Sequence, residues 1–381
     1  MWAQHLGIPS LCPGTFPGNR EHPDLLMVFA PSDALQTSGI AQEITEISPE
    51  TLVIGCSTGT SITGETLFDD GFAAVAVGFD HTTLRMAHAE LHEPAASLDA
   101  GERIGQELTG DGLRYVLVLS DGLDVNGSAL VRGLASTLGP DVVVSGGLAA
   151  DGPRFAATCV LADGRAVANT VAAIGFYGDH LQVGIGSGGG WNEFGPKREI
   201  TRAEGNTLFE FDGQPALDLY ERYLGNEAAG LPASGLLYPL MIYAPSEQLG
   251  LVRTILSVDR EARSLTFAGD MPVGWQARLM RGQYRNLVKG AEHAAQDALT
   301  SLRRKMPTLN PALSLMVSCV GRRILLGQRT VGELNAVRDV LGNNGPLIGF
   351  YSNGEIGPHD APLGCGLHNQ TVTMTLLAEL P

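Results

Sequence analysis

The sequence predicts an α/β protein with mixed sheets covered by helices. Its recurring part is a strand–helix–strand unit that ends in a glycine corner, and the chain divides into two halves. Three observations predict this. Near-continuous apolar runs alternate with amphipathic stretches, as buried strands and their covering helices do. An apolar run breaks into glycine and small polar residues three times, closing units of roughly 30–35 residues, the length of one βαβ element. Between the second and third units the pattern changes to short strands that read as antiparallel.

The first unit opens with DLLMVFA (24–30), a buried strand. PSDALQTSGIAQEITEI follows as a helix, with Ser32 as its cap and Leu35, Ile40 and Ile44 on its apolar side. TLVIGCSTG (51–59) is the closing strand and first corner. The second unit has RYVLVLS as a strand and NGSALVRGLASTLG as a helix, with Leu130, Leu134 and Leu138 one turn apart and Gly139 at its end. DVVVSGGLAADGP is its corner. In the third unit ALSLMVSC is a strand and TVGELNAVRDVLGN a helix. Thr330 and Glu333 have capping-box spacing, Leu334, Val337 and Leu341 are apolar, and Gly342 ends the helix. PLIGFYSNGEIGP closes the unit.

Each corner is followed by more strand. GFAAVAVGFDHTTLRMAHAEL and TVAAIGFYGDHLQVGIGSG both read as strand, turn, strand, with Asp-His at the turn (Asp80-His81, Asp179-His180). TVTMTLLAEL supplies one strand after the third corner. The middle of the chain starts with an Asp-Gly turn at 212–213 and a helix over Leu217, Tyr220 and Leu224 that ends near Gly225. LLYPLMIYA, GLVRTILSVD, SLTFAGDMPVG and WQARLMRG are strands. NLVKGAEHAAQDALTSLRR is a helix with Leu287, Ala291, Ala294, Ala298 and Leu302 inward.

Charge excludes some functions. The chain has 381 residues and a net charge of −16, which repels phosphate backbones and anionic lipids, so neither nucleic acid nor membrane is expected as a partner. No apolar run reaches the roughly 20 residues that span a bilayer. The first 23 residues read as a loose Pro/Gly-rich lead-in without the pattern of a signal peptide. The five cysteines form no CxxC pair, which fits a reducing cytoplasm and gives no zinc site or disulfide frame.

Seven pieces, in order, carry a resemblance: VIGCSTG, SGGLAADG, GNTLFEFDGQPALDLYERYLG, FAGDMPVG, SCVGRR, GFYSNGEIGP and LHNQTVTMTLLAE. Together they resemble the FIST family, the two-part sensory region of bacterial and eukaryotic signal-transduction proteins. The resemblance implies a FIST N-terminal half over 24–205 and a FIST C-terminal half over 206–381. It implies a cytoplasmic, small-molecule-binding sensor with no catalytic residue. An amino acid or other carboxylate is the implied ligand. A subset of the family resembles haem-binding nitric-oxide sensors. No kinase, cyclase, receiver or F-box segment is read in the chain, so signalling would pass through a separate partner, such as a histidine kinase or a cyclic-dinucleotide enzyme.

The candidate site residues follow from the corners. In βαβ sheets ligands bind beyond the carboxyl ends of the strands, and glycine lets backbone approach them. Ser57, Thr58, Ser145, Gly147, Tyr351, Ser352, Asn353 and Glu355 are therefore the expected ligand-binding set. His368 and Asn369, in GLHNQT, join them, and His368 is the expected axial ligand if haem is bound. Arg253, inside an apolar strand, is expected to pair with an acid or a ligand, and Arg322 and Arg323 are expected to bind an anion, since guanidinium forks suit carboxylates. Cys319 lies next to both of these paired arginines, which would favour its thiolate. The Gly-rich stretch 184–190 matches G-x-G-x-x-G but opens no helix, so it reads as a flexible loop, a lid carrying Trp191, rather than a nucleotide site. His88 and His92 read as a surface pair on a strand. A hydrolase using Cys56 or Ser57 is the rival enzyme reading, and a purely structural scaffold the remaining one.

Overall fold

The computed structural model describes residues 1–6, 16–17, 21–37, 50–69, 71–91, 93–162, 164–245, 250–358 and 364–381. Ile40, Ile44 and His92, named above, and Cys12, one of the five cysteines, lie outside them.

Three units share one plan. The first pairs β2 (Leu25–Ala30) with β3 (Leu52–Ser57) in parallel, with α1 (Ser32–Thr37) following β2. In the second, β8 (Leu113–Ser120) pairs with β9 (Val143–Leu148), joined by α3 (Gly127–Thr137). In the third, β23 (Leu313–Cys319) pairs with β24 (Leu347–Ser352), joined by α6 (Val320–Leu326) and α7 (Val331–Leu341).

Each second strand runs on into a short hairpin that joins another unit's sheet. The hairpin β4 (Ser61–Thr63) and β5 (Thr66–Phe68) adds to β24. The pair β10 (Val160–Ala162) and β11 (Arg165–Val167) adds to β3. The pair β25 (Gly354–Pro358) and β26 (Cys365–His368) adds to β9. The exchange is cyclic. A returning strand then lies antiparallel on the first strand of its own unit: β6 (Ala73–Gly78) on β2, β12 (Thr170–Tyr177) on β8, β27 (Val372–Glu379) on β23. The next strand crosses over, β7 (Thr83–Glu90) to β12 and β13 (Leu181–Gly188) to β27. The equivalent place on β6 is filled by β1 (Trp2–Leu6), from the other end of the chain. The result is three six-stranded mixed sheets of identical order, an α/β architecture.

Alternation explains the apolar runs. Leu25, Met27 and Phe29 of β2, Tyr115, Leu117 and Leu119 of β8, and Leu313, Leu315 and Val317 of β23 meet in one central core. The intervening residues face outward to the helices: Leu26 and Val28 with Leu35, Val116 and Val118 with Leu130 and Leu134, Met316 with Leu334 and Val337. Strands buried on both faces have no polar alternation to show. One glycine per unit has the same cause. A Cβ on Gly55, Gly146 or Gly349 would lie 1.9, 1.8 or 2.0 Å from the carbonyl oxygen of Val28, Val118 or Met316, its partner on the parallel strand.

Residues beyond β13 form the exception to the repeat. Nine strands, β14 (Trp191–Glu193), β15 (Arg198–Glu204), β16 (Thr207–Phe211), β17 (Gln214–Pro215), β18 (Leu240–Tyr243), β19 (Leu251–Arg253), β20 (Ile255–Asp259), β21 (Ser264–Phe267) and β22 (Gln276–Gly282), make an antiparallel sheet with its own core on α4 (Ala216–Leu224). The chain then returns through α5 (Tyr284–Leu302) to β23. The expected division at 205/206 lies at the turn of the β15–β16 hairpin, where Gly205 has φ +53°.

Several expectations are corrected. The two strand–turn–strand stretches do not fold back as hairpins: β6 and β7, like β12 and β13, belong to different sheets. Their Asp-His turns meet, with the His81 and His180 rings 4.3 Å apart. The first residues of the lead-in are the strand β1. The Gly-rich stretch is no loop or lid. Gly184, Gly186 and Gly188 sit in β13, where a Cβ would lie 2.2, 2.3 and 2.0 Å from the carbonyl oxygens of Ala298, Ala294 and Gly290, so the glycines let α5 pack directly on the strand. The capping box is absent. Thr330 has helical φ and ψ at the end of a 3-10 turn and makes no cap, and Glu333 is drawn to Arg322 instead. Two helices were not anticipated: α6, and α2 (Ser97–Leu108), which buries Ala100, Ile104 and Leu108.

Candidate functional site

The corners converge, and a cleft of about 540 Å³ opens beside them. Its wall takes Pro31 from the end of β2, Gly59 and Thr60 from beyond β3, Asp151 and Gly152 from beyond β9, and Tyr351 from β24. Helix α6 adds Val320, Arg323 and Ile324. All three units thus contribute, at the carboxyl ends of parallel strands. The size suits a small organic molecule.

Arg323 is the main cation of this cleft. Its Nη2 donates to both carboxylate oxygens of Asp69, at 3.0 and 2.9 Å. Nη1 donates to the Gly327 carbonyl at 2.9 Å, and Nε faces Thr60 Oγ1 at 3.3 Å. Thr60 Oγ1 in turn donates to Asp69 at 2.6 Å. Burial works against the charge of Asp69, but Thr60 and the guanidinium outweigh it and hold its carboxyl below the usual range. The Arg323 side chain is 23 % exposed and that of Asp69 59 %. Opposite, the Asp151 carboxylate accepts from the backbone N–H groups of Phe155, Ala156 and Ala157, which fixes the loop carrying Arg154. Arg154 Nε donates to the Asp151 carbonyl at 3.0 Å, and the residue is exposed at the rim.

The polar corner residues expected to meet a ligand lie behind this wall, bonded to one another and to neighbouring backbone, with Asn353 Oδ1 buried and left without a partner among the described residues. Ser57 Oγ accepts from Cys159 N, and its carbonyl from Ala150 N, joining the first corner to the second. Thr58 Oγ1 lies 2.8 Å from the Tyr351 carbonyl, joining the first to the third. Asn353 donates from its backbone to Leu148 O and from Nδ2 to Gly122 O. Ser145 sits deeper, between Tyr115 OH at 2.8 Å and Thr375 Oγ1 at 2.7 Å. Gly147 pairs with Glu355 across β9 and β25, and a Cβ there would meet Val317 at 2.8 Å. All of these are buried. Of the corner set, Tyr351 alone lines the cleft.

Glu355 is fully buried. It accepts from Ser352 Oγ at 2.6 Å and from both Thr371 N and Thr371 Oγ1, at 3.0 and 2.8 Å. Burial pushes its carboxyl up to about 7 despite these bonds. The register places it opposite the residue after the repeated glycine, and its equivalents in the other two hairpins are Val160 and Ser61. The fold therefore does not require a charge there.

Arg322 is a correction. Its guanidinium is fully buried and pairs with Glu333 at 2.6 Å, while Nη1 donates to Gly189 O and Nη2 to Leu287 O, both at 2.7 Å. Glu333 also accepts from Ser318 Oγ and Tyr351 OH. Nothing on this arginine is left for a ligand. Arg253 was expected to meet an acid or a ligand. It is held instead by the carbonyls of Asp270, Val252 and Leu367 and by Ser128 Oγ, and burial lowers its pKa to about 10. The Asp270 carboxylate goes to Arg132 and Asn126.

His368 and Asn369 line a second cleft of about 570 Å³, together with Ser187, Gly188, Asp297 and Thr371. His368 Nε2 lies 2.7 Å from the Pro358 carbonyl, an acceptor, so this nitrogen carries a proton and offers no lone pair to iron. Asn369 is buried, accepting from Thr254 N and donating to Asn353 O. Ile185, Leu251, Val252 and Leu367 share this lining with the hydroxyl, amide and glycine backbone, and an axial bond to iron would fall to the other ring nitrogen of His368. The thiols are corrected as well. Burial raises Cys56 and Cys319 well above the ordinary thiol value, and at Cys319 the Glu355 charge adds to this and prevails over Arg322.

Asp69 and Arg154 were missed by the sequence reading. Each sits in a turn, LFDDG or AADGPR, that looks like many others, and only the fold brings both to one cleft. Among the described residues no helix is long and apolar enough to cross a membrane.

A comparison with solved structures gives a chorismatase crystal structure at 9 % identity and TM-score 0.38, covering 98 % of each chain. Comparison with curated proteins gave no match. The family pattern described as FIST N domain matches residues 24–214, and that described as FIST C domain matches 216–358. With these two domains end to end over most of its length, the chain belongs to the FIST family.

Proposed function

We propose that the Arg323 cleft is the ligand site of a sensor for small organic acids. FIST domains are sensory domains of signal transduction, and this chain is made largely of them. The observation that carries the reading is an arginine at the carboxyl ends of strands from separate units, already engaging a carboxylate, in a hollow whose lining includes an apolar part, Pro31, Ala34, Val320, Ile324 and Tyr351, beside the polar Asp33, Thr60, Asp151 and Arg154. A ligand with an acid group and an apolar body, an amino acid or another carboxylate, matches that lining. Binding, not turnover, is the proposed activity. Cys56 and Ser57 lie buried behind the wall, and the thiol is held protonated. The reader proposed for the bound state is a separate cytoplasmic protein, a histidine kinase or a cyclic-dinucleotide enzyme.

A thermal-shift screen of organic acids against their amides tests this. Acids should raise the unfolding midpoint of the native protein with concentration, and not that of Arg323→Gln. Equal shifts in both proteins, or equal shifts with acids and amides, would remove the site.

A further inference from the structure

We propose that Asp69 is a built-in competitor that occupies the ligand's place on Arg323, so that a bound carboxylate displaces it and frees the outer hairpin strand β5. The proposal rests on the reading of this cleft as a carboxylate site. It starts from geometry: one guanidinium nitrogen spans both oxygens of Asp69, the contact that an arriving carboxylate would make. The two partners are unequal. Arg323 is mostly buried and also tied to Gly327 and Thr60, so it stays. Asp69 is mostly exposed and can leave into water without an unpaired buried charge.

Where Asp69 goes matters because of its place in the chain. It directly follows β5, the outer strand of the hairpin that the first unit lends to the third. That hairpin has three residues per strand, and its inner strand pairs with β24, which ends at the cleft. The inner strand is held firmly, with Ile62 in the core and Ser61 Oγ donating to the Gly71 carbonyl at 3.0 Å. The other side-chain anchors are peripheral, Glu65 to Arg338 at 3.3 Å and Thr63 to His5 at 2.9 Å, and β5 itself is mostly exposed. Asp69 therefore joins this edge of the third sheet to the contents of the cleft. Losing that link changes an outer edge strand, the part of a sheet another protein can read.

Calorimetric titration with benzoate and hexanoate, and with benzamide and hexanamide as neutral controls, tests the proposal on native protein, Asp69→Asn, Asp69→Ala and Arg323→Gln. The alanine variant covers the case in which asparagine keeps a hydrogen bond to Arg323. Removing a partly exposed competitor should tighten acid binding by about two- to fivefold. Arg323→Gln should bind neither acid. Hydrogen exchange over residues 66–69 should rise in native protein on adding acid, and be high from the start in both Asp69 variants. Equal acid affinity in native and Asp69 variants, with Arg323→Gln still blind, would overturn the competitor and leave the site standing. Acid binding by none of the four proteins would overturn both.

Discussion

Two neighbouring arginines on α6 meet opposite fates. Arg322 points into the protein, is fully buried, and spends its donors on Glu333 and the carbonyls of Gly189, Gln370 and Leu287. Arg323 points into the cleft and meets a carboxylate that water also reaches. The sealed region ties α5, α6, α7 and the approach to β27 into one body, and the open region leaves a cation available for exchange. Charge alone does not make a binding site. What separates the two is whether the partner is trapped.

The largest effect should come from breaking the sealed side. Arg322→Ala takes the guanidinium from the fully buried Glu333 carboxyl, at a cost of about 3–5 kcal/mol for breaking a buried pair. Arg323→Ala, which loses a partly exposed pair, should cost at most about 1 kcal/mol. Urea unfolding of both variants checks this, and equal losses would erase the distinction.

Glu355 sharpens it with pH. Its carboxyl holds a proton up to about 7 in the fold, against an ordinary value of 4.5. Between these values the folded state binds more protons than the unfolded one. Stability contributed here is full below about 4.5, falls as pH rises toward 7, and then levels off. Glu355→Gln, which can keep the bonds to Ser352 and Thr371, should relieve that loss and stabilise the protein above pH 7 by on the order of 3 kcal/mol. Urea midpoints at pH 4.5 and 8 for both proteins read the difference, and parallel pH dependence would place the charge elsewhere.

The smallest effect belongs to the neutral network. Tyr115→Phe removes one hydroxyl from Ser145, which keeps Thr375, and should cost about 1 kcal/mol. A loss as large as that of Arg322→Ala would mean that Ser145 does more than satisfy the core.

The strand–helix–strand units and their glycines were legible because both obey local rules. Apolar runs bounded by glycine mark buried strands, and Gly55, Gly146 and Gly349 are each demanded by one neighbouring carbonyl. The cyclic exchange of hairpins was not legible, because residues 61–68 carry no mark of the sheet they join. The corner residues expected to meet a ligand stand at the strand ends where the cleft opens, but most of them lie behind its wall. Ser57 and Thr58 are polar because three corners must hydrogen-bond to one another, a demand set by their meeting and invisible in any one of them, and Ser352 is spent on Glu355 within its own corner. Asp69 and Arg154 have neighbours that look ordinary, and distance in the chain hid their shared cleft.

A crystal soaked in 4-bromobenzoate tests the central claim most directly, because the bromine marks its own position by anomalous scattering. The account predicts a peak in the cleft between Ile324 and Pro31, with the carboxylate on Arg323 and the Asp69 side chain turned away. A peak only in the His368 cleft, or a carboxylate bound elsewhere with the Arg323–Asp69 pair intact, would contradict it.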